Sequence, residues 1–536
     1  MIRERRPHGQ TALPDRGAER ILGAMIRRRR FLGLVTALLA LAASCVVPGG
    51  RGESIHLVLL HTSDVHGQVL PLRATWIDAS PRPLTGGLPR LAAAVHRVRR
   101  EETAPVILVD AGDWYQGTPE GAIDLGLSFV SGLASLDYDA MCLGNHEFDH
   151  GLANLHRLLE QGGPPAVCAN LEDPRSGERV PWVPPWRIVE RAGLRIALVG
   201  LVTPETPDIT HPDARTLRFV DPVEALGAAR AELRGRADLV IPVGHVGIAA
   251  GRRLAAAYPD LPVVVTGHAH TMLERGVREG RTLIVQAGAK AAVLGRVDLW
   301  LDPRTHAVER SRARLIGLLD EPAPEDRSPE LELLCRVLVE ESDAELSKVA
   351  GELTAAPARR PLAGVRNSSS AAGNWIADAM RARTGADVAM HNRGGTRADL
   401  EAGLVTRRDL FELLPFDNEL TTMTLTGAEL EAVVRQSVEG GTHAPLDYSG
   451  LVAYVESDPP RLERVEVAGQ PLDPARDYRV TVNTFLAEGG DAYAPLVAGR
   501  YRITDPILLR DLLALQFDGQ QRVTPASDER IVSVGG

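Results

Sequence analysis

Between residue 54 and about residue 300, short apolar runs alternate with polar stretches of helical length. The runs are Ile55–Leu60, Val106–Val109, Ala140–Leu143, Ile196–Leu201, Leu239–Val243, Val263–Thr266 and Leu283–Gln286. Continuous apolar runs of this kind suit strands buried on both faces. Leu88–Arg100, between the first two, reads as a helix. The pattern predicts an α/β fold with a layered sheet. Leu331, Leu334, Val337 and Leu338 share one face at helical spacing, which predicts a connecting helix over 328–347. A second α/β unit follows, with helices at Gly373–Thr384 and Thr426–Ser437 and strands at Asp387–Met390 and Tyr478–Val482. Proline-rich Glu321–Pro324 and Arg327–Pro329 mark the boundary. The predicted domains are therefore 54–327 and 348–536, with a candidate hinge near Ser347–Gly351. No internal repeat is evident.

The segments at the strand ends are chemically uniform. After Leu60 comes His61-Thr62-Ser63-Asp64-Val65-His66-Gly67, and after Val109 comes Asp110-Ala111-Gly112-Asp113. Leu143 is followed by Gly144-Asn145-His146-Glu147-Phe148-Asp149, Val243 by Gly244-His245, and Thr266 by Gly267-His268-Ala269-His270. Five strands thus deliver Asp, Asn or His at their carboxyl ends, where open α/β sheets place ligands. His56 and His61 lie in or beside the first strand and read as packed residues. His8, His96, His156, His211, His306, His391 and His443 have no such setting and read as surface or packing residues, while His150 sits where it could support the cluster.

Such a set suits a pair of divalent cations about 3.5–4 Å apart, bridged by one carboxylate. Asp113 is the candidate bridge. Imidazoles and an amide oxygen complete the shells without excess negative charge. No thiolate takes part, which favours Zn, Mn, Fe or Co. The order of these motifs resembles the calcineurin-like metallophosphoesterases, and more narrowly the two-domain 5′-nucleotidases of bacterial envelopes and cell surfaces. The resemblance spans about residues 55–535. It implies a layered β-sandwich metallophosphoesterase domain flanked by helices, followed by a second α/β domain that binds the substrate. By motif matching, one metal takes Asp64, His66, Asp113 and His270, and the other takes Asp113, Asn145, His245 and His268. His146 matches the catalytic histidine and Asp149 the carboxylate that orients it.

The second domain carries Asn392-Arg393-Gly394-Gly395-Thr396-Arg397, similar to the family's Asn-x-Gly-Gly-x-Arg signature. Glycines and an arginine after a strand suit an anion-binding turn. The resemblance assigns Arg397 and Arg366 to the phosphate end, Phe416 and Phe485 to a nucleobase sandwich and Asp491 to the ribose. Asn392 and Asn418 take sugar or base, and Gly450 allows backbone approach to the base. Ser368 and Ser369 stand where some members carry an Arg-Glu pair. The implied activity is dimetal-dependent hydrolysis of nucleoside 5′-monophosphates to nucleoside and phosphate by activated water. The alternatives are a 2′,3′-cyclic-nucleotide phosphodiesterase with 3′-nucleotidase activity, a UDP-sugar hydrolase, a sulfur-oxidation hydrolase lacking the paired phenylalanines, and a non-catalytic envelope lipoprotein.

Charge and composition add the cellular setting. Formal net charge is −10, which argues against a nucleic-acid polymer as partner. Lys290 and Lys348 are the chain's lysines and 58 of its 60 basic residues are arginine, a bias that reads as background. Residues 1–53 read as an export signal and tether: Arg27–Arg30 form a positive segment and Phe31–Ala43 a short apolar one. Leu41-Ala42-Ala43-Ser44-Cys45 resembles a lipoprotein cleavage site with Cys45 as the lipidated residue, and Arg28–Leu32 resembles a twin-arginine signal. Met25 is a candidate start. The remaining cysteines, Cys142, Cys168 and Cys335, show no metal-site spacing, and the first two read as buried thiols. The expected location is the cell envelope, with membrane contact through a lipid anchor.

Overall fold

The structure, a computed structural model, describes residues 53–74, 76–79, 81–359, 368–440, 445–519 and 522–534. Cys45 and Arg366 lie outside the described residues. Strand β1 (Ile55–Thr62) is followed by helix α1 (Leu88–Glu101), then β2 (Val106–Asp110), β3 (Ala140–Cys142) and β4 (Ala166–Val167). Strands β5 (Trp186–Arg191), β6 (Leu194–Val202), β7 (Leu239–His245), β8 (Val263–Thr266), β9 (Val277–Glu279) and β10 (Thr282–Val285) come next, and β11 (Val293–Leu301) and β12 (Val308–Gly317) close the unit. Two six-stranded sheets result, in the orders β12-β11-β1-β2-β3-β4 and β9-β10-β8-β7-β6-β5. All seven apolar runs are strands.

The two sheets pack face to face. Leu57, Leu59, Ile107 and Val109 of one meet Leu198, Ile241, Val243 and Val265 of the other in a closed apolar layer. The outer face of the first sheet is covered by helices, with Leu60, Leu108 and Met141 against Leu91, Val95 and Phe129. Burial on both faces explains why these strands read as continuous apolar runs. The apolar-run rule missed β4, β5, β9, β11 and β12, of which β5 and β12 are the long edge strands. Apart from buried Ala313 the residues of these two are half-buried or exposed, and β12 carries Arg310, Arg312 and Arg314 on the sheet edge, where charge discourages pairing with another chain.

Helix α2 (Pro329–Leu346) buries Leu331, Leu334, Cys335 and Leu338 in the same outer layer. The segment expected to be a hinge passes directly into β13 (Val349–Leu353), which pairs antiparallel with residues 403–406. Helix α3 (Ala371–Thr384) starts at Ser370, whose side chain accepts from the Gly373 amide. It ends at Gly385, whose φ of 61° closes the last turn in the left-handed region. Strands β14 (Val388–Asn392), β15 (Leu420–Thr426), β16 (Leu446–Ser449), β17 (Asp477–Asn483) and β18 (Arg500–Asp505) form a sheet in the order β16-β14-β17-β15-β18. Cys142, Cys168 and Cys335 are buried free thiols, and burial pushes Cys168 and Cys335 up to about 12. Among the described residues, no helix is long and apolar enough to cross a membrane.

Candidate metal centre and substrate cleft

The carboxyl ends of β1, β2, β3, β7 and β8 converge. Asp64, His66, Asp113, His268 and His270 all have positive φ, between 51° and 74°. Left-handed backbone at non-glycine residues is held only where the surroundings dictate it, and such residues cluster at functional sites. Gly112 is required by packing as well: a Cβ there would stand 2.7 Å from the Gly144 amide and 2.9 Å from His245 Nδ1.

Ligating atoms of Asp64, His66, Asp113 and His270 all lie within 4.8 Å of one another. A second group shares Asp113: His245 Nε2 is 3.0 Å from Asp113 Oδ2, and His268 Nδ1 is 3.0 Å from Asn145 Oδ1. The seven residues expected as ligands are therefore brought into one cluster around Asp113. His66 Nδ1 faces the Gln116 carbonyl at 2.7 Å and His245 Nδ1 the Ala111 carbonyl at 2.8 Å, which turns each Nε2 inward.

The donor set fits divalent cations. Asp64 Oδ2 is buried without a hydrogen-bond partner in the protein, a costly state unless another group completes it. His66 Nε2 and His270 Nε2 meet at 3.0 Å, and with its Nδ1–H committed to the Gln116 carbonyl, neutral His66 presents the Nε2 lone pair to the cluster. Burial lowers His66 and His270 well below the ordinary histidine value and His268 to about 3, which keeps these imidazoles neutral and available as ligands. Burial would raise Asp113, but His245 and His146 outweigh it and hold the carboxylate ionised, and Asp113 in turn raises His245 to about 10, a proton that a bound cation would displace.

His146 stands beside this cluster. Its backbone amide donates to Asp113 Oδ1 at 2.9 Å, and its Nδ1 contacts Asp149 Oδ2 at 2.6 Å. Burial disfavours the imidazolium, but Asp149 and Asp113 outweigh that and raise its pKa. Opposite lies the second domain. Arg397 Nη2 is 3.5 Å from His146 Nε2, and the Phe416 ring stacks on His146 at 5.6 Å. A cavity of about 930 Å³ joins these groups to Asn392, Asn418, Phe485 and Asp491. There Asn392 Nδ2 donates to Asp491 Oδ2 at 2.8 Å, and Asn483 Nδ2 donates to Asn392 Oδ1 at 2.9 Å.

Residues 57–272 match the calcineurin-like phosphoesterase family, and residues 349–498 match the 5′-nucleotidase C-terminal domain. The chain is 28% identical over 553 residues to a snake venom 5′-nucleotidase of Crotalus adamanteus, covering 94% of this chain and 92% of that one. It is 27% identical to the 5′-nucleotidase of Vibrio cholerae, covering 86% and 90%. A solved 5′-nucleotidase precursor from Thermus thermophilus superposes with TM-score 0.80 at 28% identity, covering 90% of this chain and 100% of that one. The chain belongs to the two-domain 5′-nucleotidase family. It is a hydrolase with a metal-dependent phosphoesterase domain.

Within this 5′-nucleotidase fold, several contacts escaped sequence reasoning. Glu147 is buried and accepts from three backbone amides, Asp113 at 2.9 Å, Trp114 at 2.7 Å and Gly144 at 2.6 Å. Asp110 accepts from Gly112 N at 2.8 Å and Thr62 Oγ1 at 2.6 Å, shaping the turn before Asp113. Both belong to the motifs that were recognised, yet only the folded loops reveal what they hold. Thr210, Arg215 and Arg359 line the cavity and carried no sequence signal. His211, read as a surface or packing residue, also lines it. His150 lines it too and meets Tyr115 Oη at 2.9 Å. Gly450 is not among the lining residues: its φ is 79°, and a Cβ would stand 2.2 Å from the Asp387 carbonyl, so a backbone crossing accounts for the glycine. His61 is buried, and His56 stacks on Trp300 at 4.7 Å, both as packed residues.

Proposed function

We propose that the protein hydrolyses nucleoside 5′-monophosphates to nucleoside and phosphate. One observation carries this reading: a single cavity joins the Asp113-centred cluster and His146 to Phe416, Phe485 and Asp491. Asp64, His66, Asp113 and His270 would hold one divalent cation, and Asp113, Asn145, His245 and His268 a second. The chemistry such cations supply when bound is Lewis-acid polarisation of a phosphoryl oxygen and acidification of water. The protein's own groups do the rest. Arg397 presents a planar guanidinium to the phosphate. His146, oriented through Nδ1 by Asp149, offers Nε2 to the phosphoryl group as charge develops. Phe416 and Phe485 hold the base, whose π-face binds any aromatic platform. Asn392 and Asp491 form a hydrogen-bonded pair able to receive ribose hydroxyls, with Asn418 beside them. Arg366 remains a proposed phosphate ligand on its sequence position.

Phosphate release from AMP, UDP-glucose, 2′,3′-cyclic nucleotides and dinucleotides, with Mn, Zn, Co or Fe restored to chelated enzyme, tests this reading. Release from AMP above the others supports it; preference for the cyclic substrate overturns it. We propose further that the domains divide at 327/328 and 347/348, and that the chain is exported and lipidated at Cys45. Incorporation of labelled palmitate that is lost in Cys45→Ala would support the anchor.

A further inference from the structure

The segment 203–217 belongs to the first domain but reaches across the cleft. Its short helix Thr206–Ile209 packs against residues 490–492 of the second domain, beside Asp491. Arg215 Nη1 donates to the Glu488 carbonyl at 2.7 Å and Arg215 Nε to the Pro207 carbonyl at 3.2 Å, tying the loop to itself and to the opposite wall. Thr206 Oγ1 donates to the Thr203 carbonyl at 2.7 Å. Thr210 follows the helix in extended backbone and is only 5% exposed.

The Thr210 hydroxyl points at the acid beside His146. Thr210 Oγ1 donates to Asp149 Oδ1 at 2.7 Å, while Asp149 Oδ2 takes His146 Nδ1 at 2.6 Å. Both carboxylate oxygens are thus engaged, one by each partner. A carboxylate held at one oxygen can still turn about its last torsion, whereas one held at both cannot. The orientation of a histidine follows the partner of its distal nitrogen.

We infer that Thr210 is a positioning residue, which fixes Asp149 and through it His146 by a hydrogen-bonded chain anchored in the loop that also walls the nucleoside side of the cleft. The inference rests on the reading of His146 as the group that meets the phosphoryl oxygens. It adds a residue that no motif marks and connects the cleft wall to the phosphate end through Asp149.

The test uses the full chain loaded with Mn²⁺, AMP and glycerol 2-phosphate as substrates, and the variants Thr210→Val and Thr210→Ser. Valine matches threonine in shape and lacks the hydroxyl; serine keeps the hydroxyl and loses the methyl. Thr210→Val should lower kcat roughly tenfold on both substrates, as expected for one lost hydrogen bond to a charged group. KM should stay within about twofold, because no ground-state contact to substrate is removed. Thr210→Ser should restore kcat. Wild-type kcat in Thr210→Val, or an equal loss in both variants, would overturn the proposal in favour of simple packing. A second readout is independent of turnover: the His146 Nδ1 proton in ¹⁵N-histidine NMR spectra of the metal-free chain, assigned with His146→Gln. Its signal should persist in Thr210→Ser and shift or vanish in Thr210→Val; an unchanged signal in Thr210→Val would overturn the chain. If the wild type releases no phosphate from any monoester, the functional reading fails, and this spectrum still decides the role of Thr210.

Discussion

Glu147 offers a sharp test of how the candidate ligands are held. Its carboxylate is fully buried. Oε2 accepts the amides of Asp113 at 2.9 Å and Gly144 at 2.6 Å, and Oε1 accepts that of Trp114 at 2.7 Å. Gly144 precedes Asn145, so one side chain sets the spacing between the loops of two proposed ligands. Glu147→Gln keeps the shape but has one acceptor oxygen. In either orientation its amide nitrogen faces at least one backbone N–H. A buried donor left unpaired costs about 1–3 kcal/mol, so the glutamine variant should lose that much stability. Alanine strands all three donors, about 3–9 kcal/mol before water enters, which approaches the whole stability of a domain at about 5–15 kcal/mol. Glutamine is therefore the informative change. Disturbing a group that orients metal ligands typically weakens metal binding about 10–100-fold. Isothermal titration of the chelated protein with Mn²⁺, beside the first denaturant transition, measures both effects. Wild-type Mn²⁺ affinity in a folded Glu147→Gln protein would refute the reasoning, since the clamp would then not govern ligand position.

Other outcomes rest on the same geometry. Asp113→Asn removes the shared anion and should abolish phosphate release while circular dichroism stays native; full turnover would contradict its role. Phe416→Ala should raise KM for AMP roughly tenfold, from about 1–3 kcal/mol of base stacking, with little change for glycerol 2-phosphate; equal changes for both would argue against the base platform. Burial pushes Asp491 up to about 7, with Asn392 opposing and Asp208 adding to the rise. The folded chain then holds a proton that the unfolded chain releases. This contribution to stability is complete below the ordinary carboxyl range and is lost as pH rises through about 7. The ionised acceptor gains ground over the same interval, so KM for AMP relative to glycerol 2-phosphate should fall as pH passes about 7; Asp491→Asn should flatten that profile. Chelation should lower the thermal midpoint, and restored Mn²⁺ should raise it in proportion to the logarithm of its concentration; an unchanged midpoint would count against the centre.

The sequence by itself determined seven of the twelve strands of the sandwich and the residue types at the ends of five of them. Seven apolar runs became seven strands because burial on both faces leaves no other composition, and the Asp, Asn and His beyond them must sit where those strands stop. That logic is local: it depends on neighbours within one strand and one turn. It weakens at β12, whose edge position admits alternating arginines, and it does not foresee the Asp387 carbonyl that a Cβ on Gly450 would meet. Only the tertiary structure decided which atoms meet. His66 and His270 are 204 positions apart yet 3.0 Å apart in space, and Arg397 reaches His146 across 251 positions. The Glu147 clamp and the Thr210–Asp149–His146 chain likewise arise where separate loops close on one another. Such contacts come from the packing of two sheets and the seating of a second domain, and no spacing along the chain encodes them.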